Sequence, residues 1–182
     1  MIYYGAKELA QSFRVVRNNT LQIAEDIPES QYEFKAAPDS RSVARTLVHV
    51  AMGPTFQTYV HQNNIDDLKT VNFPELVQKI SAEEAKPRSK AEIITLLKEE
   101  GEKFAKYLEG LDESFLGQQL TMSPGAEPAT KSRFEMLLSP KEHEMHHRGQ
   151  LMVLQRMLGM TPHLTRQMQQ RHAEPAAEQG RR

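Results

Sequence analysis

Three of the chain's seven histidines fall in one short window, residues 142–148, which reads Glu-His-Glu-Met-His-His-Arg. His143 and His147 are four residues apart, so on a helix they stand one above the other on one face. That is the spacing at which two imidazoles reach a single metal ion. Continuing at helical intervals gives Leu151, Leu154 and Leu158, so the pair extends an apolar stripe and is expected to point into the protein. His146 lies to one side of that line. The chain has no cysteine, which leaves His, Asp, Glu or water to complete a site. His49 is the best third ligand, because it sits among Leu47, Val48, Val50, Ala51 and Met52. Three imidazoles leave positions open for water or substrate, the arrangement of a catalytic ion and not of a closed structural one.

Plainer readings stand beside this one. A lone HxxxH recurs by chance on helix surfaces, and a lone apolar-flanked histidine is more often a hydrogen-bonded core residue than a ligand. The conjunction of paired spacing, inward stripe and a second buried histidine is what points to metal. Residues 143–147 also satisfy H-E-x-x-H, in which Glu144 would activate a water on zinc. No strand precedes the motif, no glycine-and-histidine extension follows it, and the chain is short for a peptidase with a substrate-binding sheet. His61, His163 and His172 read as boundary or surface residues. Asp66-Asp67 and Glu99-Glu100 read as solvated charge.

Four long segments have the periodicity to position these groups. The first carries Leu9, Phe13, Val16, Ile23 and Ile27 and stops before Pro28. The second runs from about Ser42 to about Gln62, with a kink expected at Gly53-Pro54. The third opens on a capping box, Ser89 to Glu92, and continues through Ile94, Leu97, Phe104, Leu108 and Leu111. The fourth bears the histidine pair and ends at Gly159. Ser139-Pro140-Lys141-Glu142 resembles a helix start, so 132–159 reads either as one kinked helix or as two elements. A short helix is expected near Pro74 to Ile80, a loop over 117–131, and a polar, mobile tail over 166–182 after a domain spanning 1–165. No strand pattern of useful length appears. The fold class is all-α, a four-helix bundle with a short extra helix in the second-to-third connection.

The bulk properties agree. Hydrophobic residues make up 38% of the 182 and charged residues 26%, which suits a globular, water-soluble domain. The net charge of -1 comes without a basic stripe, so no nucleic-acid partner is indicated. No apolar run approaches the roughly 20 residues that span a bilayer, and the N-terminus does not read as a secretory signal. The absence of cysteine fits a reducing cytosol, and a cytoplasmic location is expected.

At Ser42-Val43-Ala44-Arg45-Thr46-Leu47-Val48-His49 and at His143-Glu144-Met145-His146-His147-Arg148-Gly149-Gln150-Leu151 the chain resembles the DinB/YfiT-like superfamily. The distal run Leu158-Gly159-Met160-Thr161-Pro162 is similar too, and the likeness spans most of residues 1–165. It implies a four-helix bundle, often dimeric, with a three-histidine site. Carried over residue by residue, the ligands are His49, His143 and His147. The ion implied is divalent, nickel or zinc first, with iron, copper or manganese after them. Pro54 and Pro140 depart from the pattern by interrupting helices that are often continuous.

The resemblance also implies a reaction. Relatives include thiol-dependent transferases that use low-molecular-weight thiols such as bacillithiol or mycothiol. A protein without a thiol of its own would take its nucleophile from such a cosubstrate and pass it to a small-molecule electrophile. Glu144 is the candidate for proton transfer and Arg148 for orienting substrate. A hydrolase is the alternative within the enzyme class, since the same ion could ionise water. A non-catalytic, metal-binding stress-response or ligand-binding protein is the alternative outside it.

Overall fold

The computed structural model describes residues 4–173. Helix α1 (Ala6–Asp26) opens with the Gly5 N–H donating to the Glu8 carboxylate and ends at extended Ile27, because the residue before a proline is pushed out of the helical region. Helix α2 (Val43–Met52) starts on Ser42, whose hydroxyl accepts the Arg45 N–H. The kink expected at Gly53-Pro54 is a full break, after which α3 covers Thr55–Gln62. Pro54 has no N–H to give the Val50 carbonyl, which accepts instead from the Gly53 N–H and from Arg17 of α1. Helix α4 (Phe73–Ala85), capped by Asn72, is the extra helix, longer at its C-terminal end than the expected 74–80. Helix α5 (Lys90–Glu109) begins on the Ser89–Glu92 capping box.

A single turn, α6 (Glu113–Leu116), leads to a hairpin of β1 (Gln119–Thr121) and β2 (Thr130–Ser132) inside the segment expected to be loop. Three-residue strands are too short to write an alternating pattern into the sequence. Helix α7 (Arg133–Met157) is continuous through Pro140, so 132–159 is one helical element and not two. Its start is the Ser132–Glu135 capping box, seven residues ahead of the Ser139 start considered above. Gly159 closes it at φ +77°, with the Gly159 and Met160 N–H groups donating to the Arg156 and Gln155 carbonyls. Helix α8 (His163–Ala173) makes residues 166–173 of the expected tail helical; 174–182 lie outside the described residues.

Helices α1 and α2 each pack on both α5 and α7, so the two occupy opposite corners of a four-helix bundle. All four contribute to one core cluster, through Ile23, Leu47, Val50, Ile93, Leu97, Leu151 and Leu154. A second cluster fills the opposite end with Leu9, Phe13, Phe104, Leu108 and Leu137. Helix α4 leans on α2. No helix among the described residues is long and apolar enough to cross a membrane.

Candidate metal centre

The bundle brings His49 of α2 against His143 and His147 of α7, with one ligand atom from each within 4.8 Å of the others. The His143 Nε2 stands 2.9 Å from His49 Nε2 and 3.1 Å from His147 Nε2. The apolar stripe does its expected work here: Leu151 is fully buried, Leu154 nearly so, and they hold this face of α7 against the core.

The outer nitrogens decide what the inner ones can do. His49 Nδ1 is 2.6 Å from Glu84 Oε1, and a carboxylate can only accept, so Nδ1 carries a proton and the neutral imidazole presents its lone pair at Nε2. His147 Nδ1 is 2.8 Å from Gln150 Oε1, which assigns it the same tautomer. Both lone pairs face His143 Nε2. A neutral His143 could donate to one of them and leave the other unmatched, while its Nδ1 is buried without a partner. Protonation is no remedy, because burial first, and then His147, His49, His146 and Arg41, push the His143 pKa down to about 4. Burial also lowers His147, against a partly offsetting hydrogen bond that it donates to Gln150. Hydrogen bonds alone therefore leave one of the facing Nε2 lone pairs unmatched, whereas one cation among them would take all three Nε2 lone pairs. The two separations from His143 fit too, since nitrogens bound at roughly 2.0–2.1 Å to one ion stand about 3 Å apart.

Glu84 is a residue the sequence reading missed. It is 6% exposed, and its second oxygen accepts from Arg41 Nε at 3.1 Å. Burial alone would raise its pKa, but the hydrogen bonds from His49 and Arg41 outweigh burial and the net shift is downward. A ligating imidazole backed by a carboxylate is a more basic and better-oriented ligand.

Two candidates from the same stretch of sequence are placed elsewhere. Glu144 turns into the bundle core, where both its oxygens accept from Arg17 Nε at 2.9 and 3.0 Å. Arg148 is half-buried one turn further on; after burial and Arg166, it adds to the lowering of the His163 pKa. His146 is exposed; its ring stands edge-on to that of His147, and its Nε2 meets the Gln150 amide. Contrary to expectation, His61 and His163 are buried. His61 bridges Arg133 and Gln57, and His163 bonds Asn19 of α1.

Two hollows flank the histidines. His49 and His143 open onto one of about 210 Å³ walled by Met52, Phe56, Ile80 and Pro140. His147 opens onto a groove of about 650 Å³ that also touches Arg41, Arg45, Thr46 and Gln150.

The sequence matches the model of the DinB family over residues 2–181. The chain belongs to the DinB family. Among DinB-like relatives, the Uncharacterized protein YjoA of Bacillus subtilis (strain 168) is 24% identical over 157 residues, covering 86% of this chain and 92% of that one. The crystal structure of YjoA superposes with a TM-score of 0.62 at 23% identity, covering 85% of this chain and 93% of YjoA. A DinB-like protein from Bacillus cereus ATCC 10987 gives 0.65 at 18% identity, covering 88% of this chain and 97% of that one. YfiT from Bacillus subtilis, described as a probable metal-dependent hydrolase with an unusual four-helix bundle topology, gives 0.66 at 14% identity, covering 88% and 91%. At these identities the likeness establishes the DinB-like four-helix fold.

Proposed function

We propose that this DinB-family chain is a metal-dependent enzyme that holds one divalent transition-metal ion, zinc or nickel first, on His49, His143 and His147. The observation that carries the proposal is the convergence of three Nε2 atoms with two of the tautomers set by Glu84 and Gln150. Three neutral imidazoles suit a borderline ion and leave positions open to ligands. The ion would supply acidity, lowering the pKa of a bound thiol or water.

The reaction we favour joins a small thiol to an electrophile. A chain with no cysteine must receive its sulfur nucleophile from outside. The two hollows, one apolar and one flanked by arginines, suit two different small molecules meeting at the histidines. The apolar hollow, with Met52 and Phe56, would take the electrophile and exclude water. Incubating zinc- or nickel-loaded protein with bacillithiol, mycothiol or glutathione and a test electrophile is expected to consume thiol faster than the metal-free control. No excess rate with any of the three would remove the transferase reading. A hydrolase is the second reading, favoured by the description of YfiT; ester hydrolysis by the loaded protein without thiol would support it.

We also propose a homodimer. Helix α7 exposes Met145, Val153 and Met157 at 44%, 55% and 52%, and a second copy would cover them. Sedimentation velocity giving only monomer at high concentration would remove that part.

A further inference from the structure

We infer that the groove beside His147 receives the carboxylate of a small anionic ligand on Arg45 and Arg41. For what the ligand's other end does, this rests on the metal-and-thiol reading above. The groove is about 650 Å³ and is bounded by Arg41, Arg45, Ser40, Thr46, His147 and Gln150, so one continuous hollow joins two guanidiniums to a histidine of the centre.

The state of the two arginines points to an anion. Arg45 sits in the first turn of α2, where the helix dipole favours negative charge, and no acidic residue occupies that turn. Its side chain is exposed and forms no ion pair with a carboxylate among the described residues. Arg41 gives only Nε to Glu84, so its two terminal nitrogens carry no hydrogen bond to the described residues. Against these two cations the groove wall has one carboxylate, Asp39. A guanidinium matches a carboxylate in a planar, two-point fork, and two guanidiniums on one wall can share the charge.

The other side of the centre lacks such groups. Met52, Phe56, Ile80 and Pro140 wall most of it, and its other polar groups, Gln57 and Ser139, are uncharged, so a charged ligand and a mainly apolar one are directed to opposite sides. Arg41 and His49 also share one carboxylate, Glu84, so an anion on Arg41 lies one residue away from a ligand of the centre.

The test uses cobalt(II)-loaded protein, in which a bound thiolate gives a sulfur-to-cobalt absorption band independent of turnover. The probes are the ω-mercapto acids of three and six carbons and their uncharged amides. The expected result is an acid binding about tenfold or more tighter than its amide at one chain length at least. Arg45→Glu should abolish that preference and leave amide binding within about twofold. Acid and amide binding equally, with both giving the band, would overturn the groove assignment and leave the thiol reading standing. No band from any thiol would overturn the thiol reading. Adipate binding by calorimetry then decides the groove alone: retained by the parent and lost in Arg45→Glu, it upholds the subsite, and its absence from the parent overturns it.

Discussion

Arg17 and Glu144 form a buried ion pair, with Arg17 Nε between the two carboxylate oxygens at 2.9 and 3.0 Å and both side chains at most 4% exposed. The remaining nitrogens of Arg17 donate to Leu97 O of α5 at 2.7 Å and Val50 O of α2 at 3.2 Å. One side chain from α1 thus ties together all four corners of the bundle. Two of its partners adjoin the centre in sequence, since Val50 follows His49 and Glu144 follows His143. Removing one partner of a buried pair strands the other charge, so Arg17→Met should lose about 3–5 kcal/mol, measured by urea unfolding. The double variant Arg17→Met/Glu144→Leu should recover at least half of that loss. A Glu144→Gln variant that lost activity at unchanged stability would return Glu144 to a catalytic role.

Gly101 makes room for that arginine. A Cβ built there would meet Arg17 Cγ and Nη1, both at 2.9 Å. Glycine to alanine inside a helix ordinarily stabilises by up to about 1 kcal/mol. Arg17 is held at every nitrogen and cannot move aside cheaply, so the sign should reverse here. Gly101→Ala is expected to destabilise by about 1–3 kcal/mol, and thermal melts of the two proteins check it.

Glu84 should matter to the metal more than to the fold. Glu84→Gln removes the charge that supports His49 and the ion pair to Arg41 while keeping the shape. Metal affinity is expected to fall about 10–100-fold, read by competition with a chromophoric chelator. The melting temperature of the metal-free protein should move little by comparison.

Acid should destabilise the metal-free protein, and His61 is one identifiable cause. It is buried against Arg133, and burial first, then that cation, lower its pKa from 6.5 to about 4. The folded state therefore keeps His61 neutral while the unfolded chain protonates it. Stability from this group is complete above about pH 6.5, declines as the pH falls, and is gone near pH 4. The full loss is on the order of 3 kcal/mol. His143 and His147, also lowered, act in the same direction. Urea unfolding between pH 7 and 4 should show a shallower decline in His61→Gln than in the parent.

The centre was legible where chemistry follows from helical spacing. His143 and His147 share a face because they are four apart, and the leucines beyond them show that the face is inward. His49 was legible from its apolar neighbours. Glu84 was not, because it lies in Ala-Glu-Glu-Ala within a polar helix, and its partnership with His49 depends on how α4 leans on α2. Buried His61 and His163 were also hidden, since each stands near an element end between one apolar and one polar or turn-forming neighbour, Val60 and Gln62 for the first and Leu164 and Pro162 for the second, and is buried by tertiary contacts. Pro140 misled for a local reason. Ser139-Pro140-Lys141-Glu142 has the residues of a helix start, but the Ser132–Glu135 box opens the helix earlier and the long α7 absorbs the missing bond. The small hairpin had too few residues to leave a pattern.

The central claim is that His49, His143 and His147 hold one metal ion. The most direct test is elemental analysis of tag-free protein after exposure to zinc or nickel and gel filtration, beside His49→Ala, His143→Ala and His147→Ala. The parent should retain about one ion per chain, and each variant should retain little, because two imidazoles and water hold such an ion far less tightly. A parent that stays metal-free with both ions, or variants that keep the parent's content, would contradict the account.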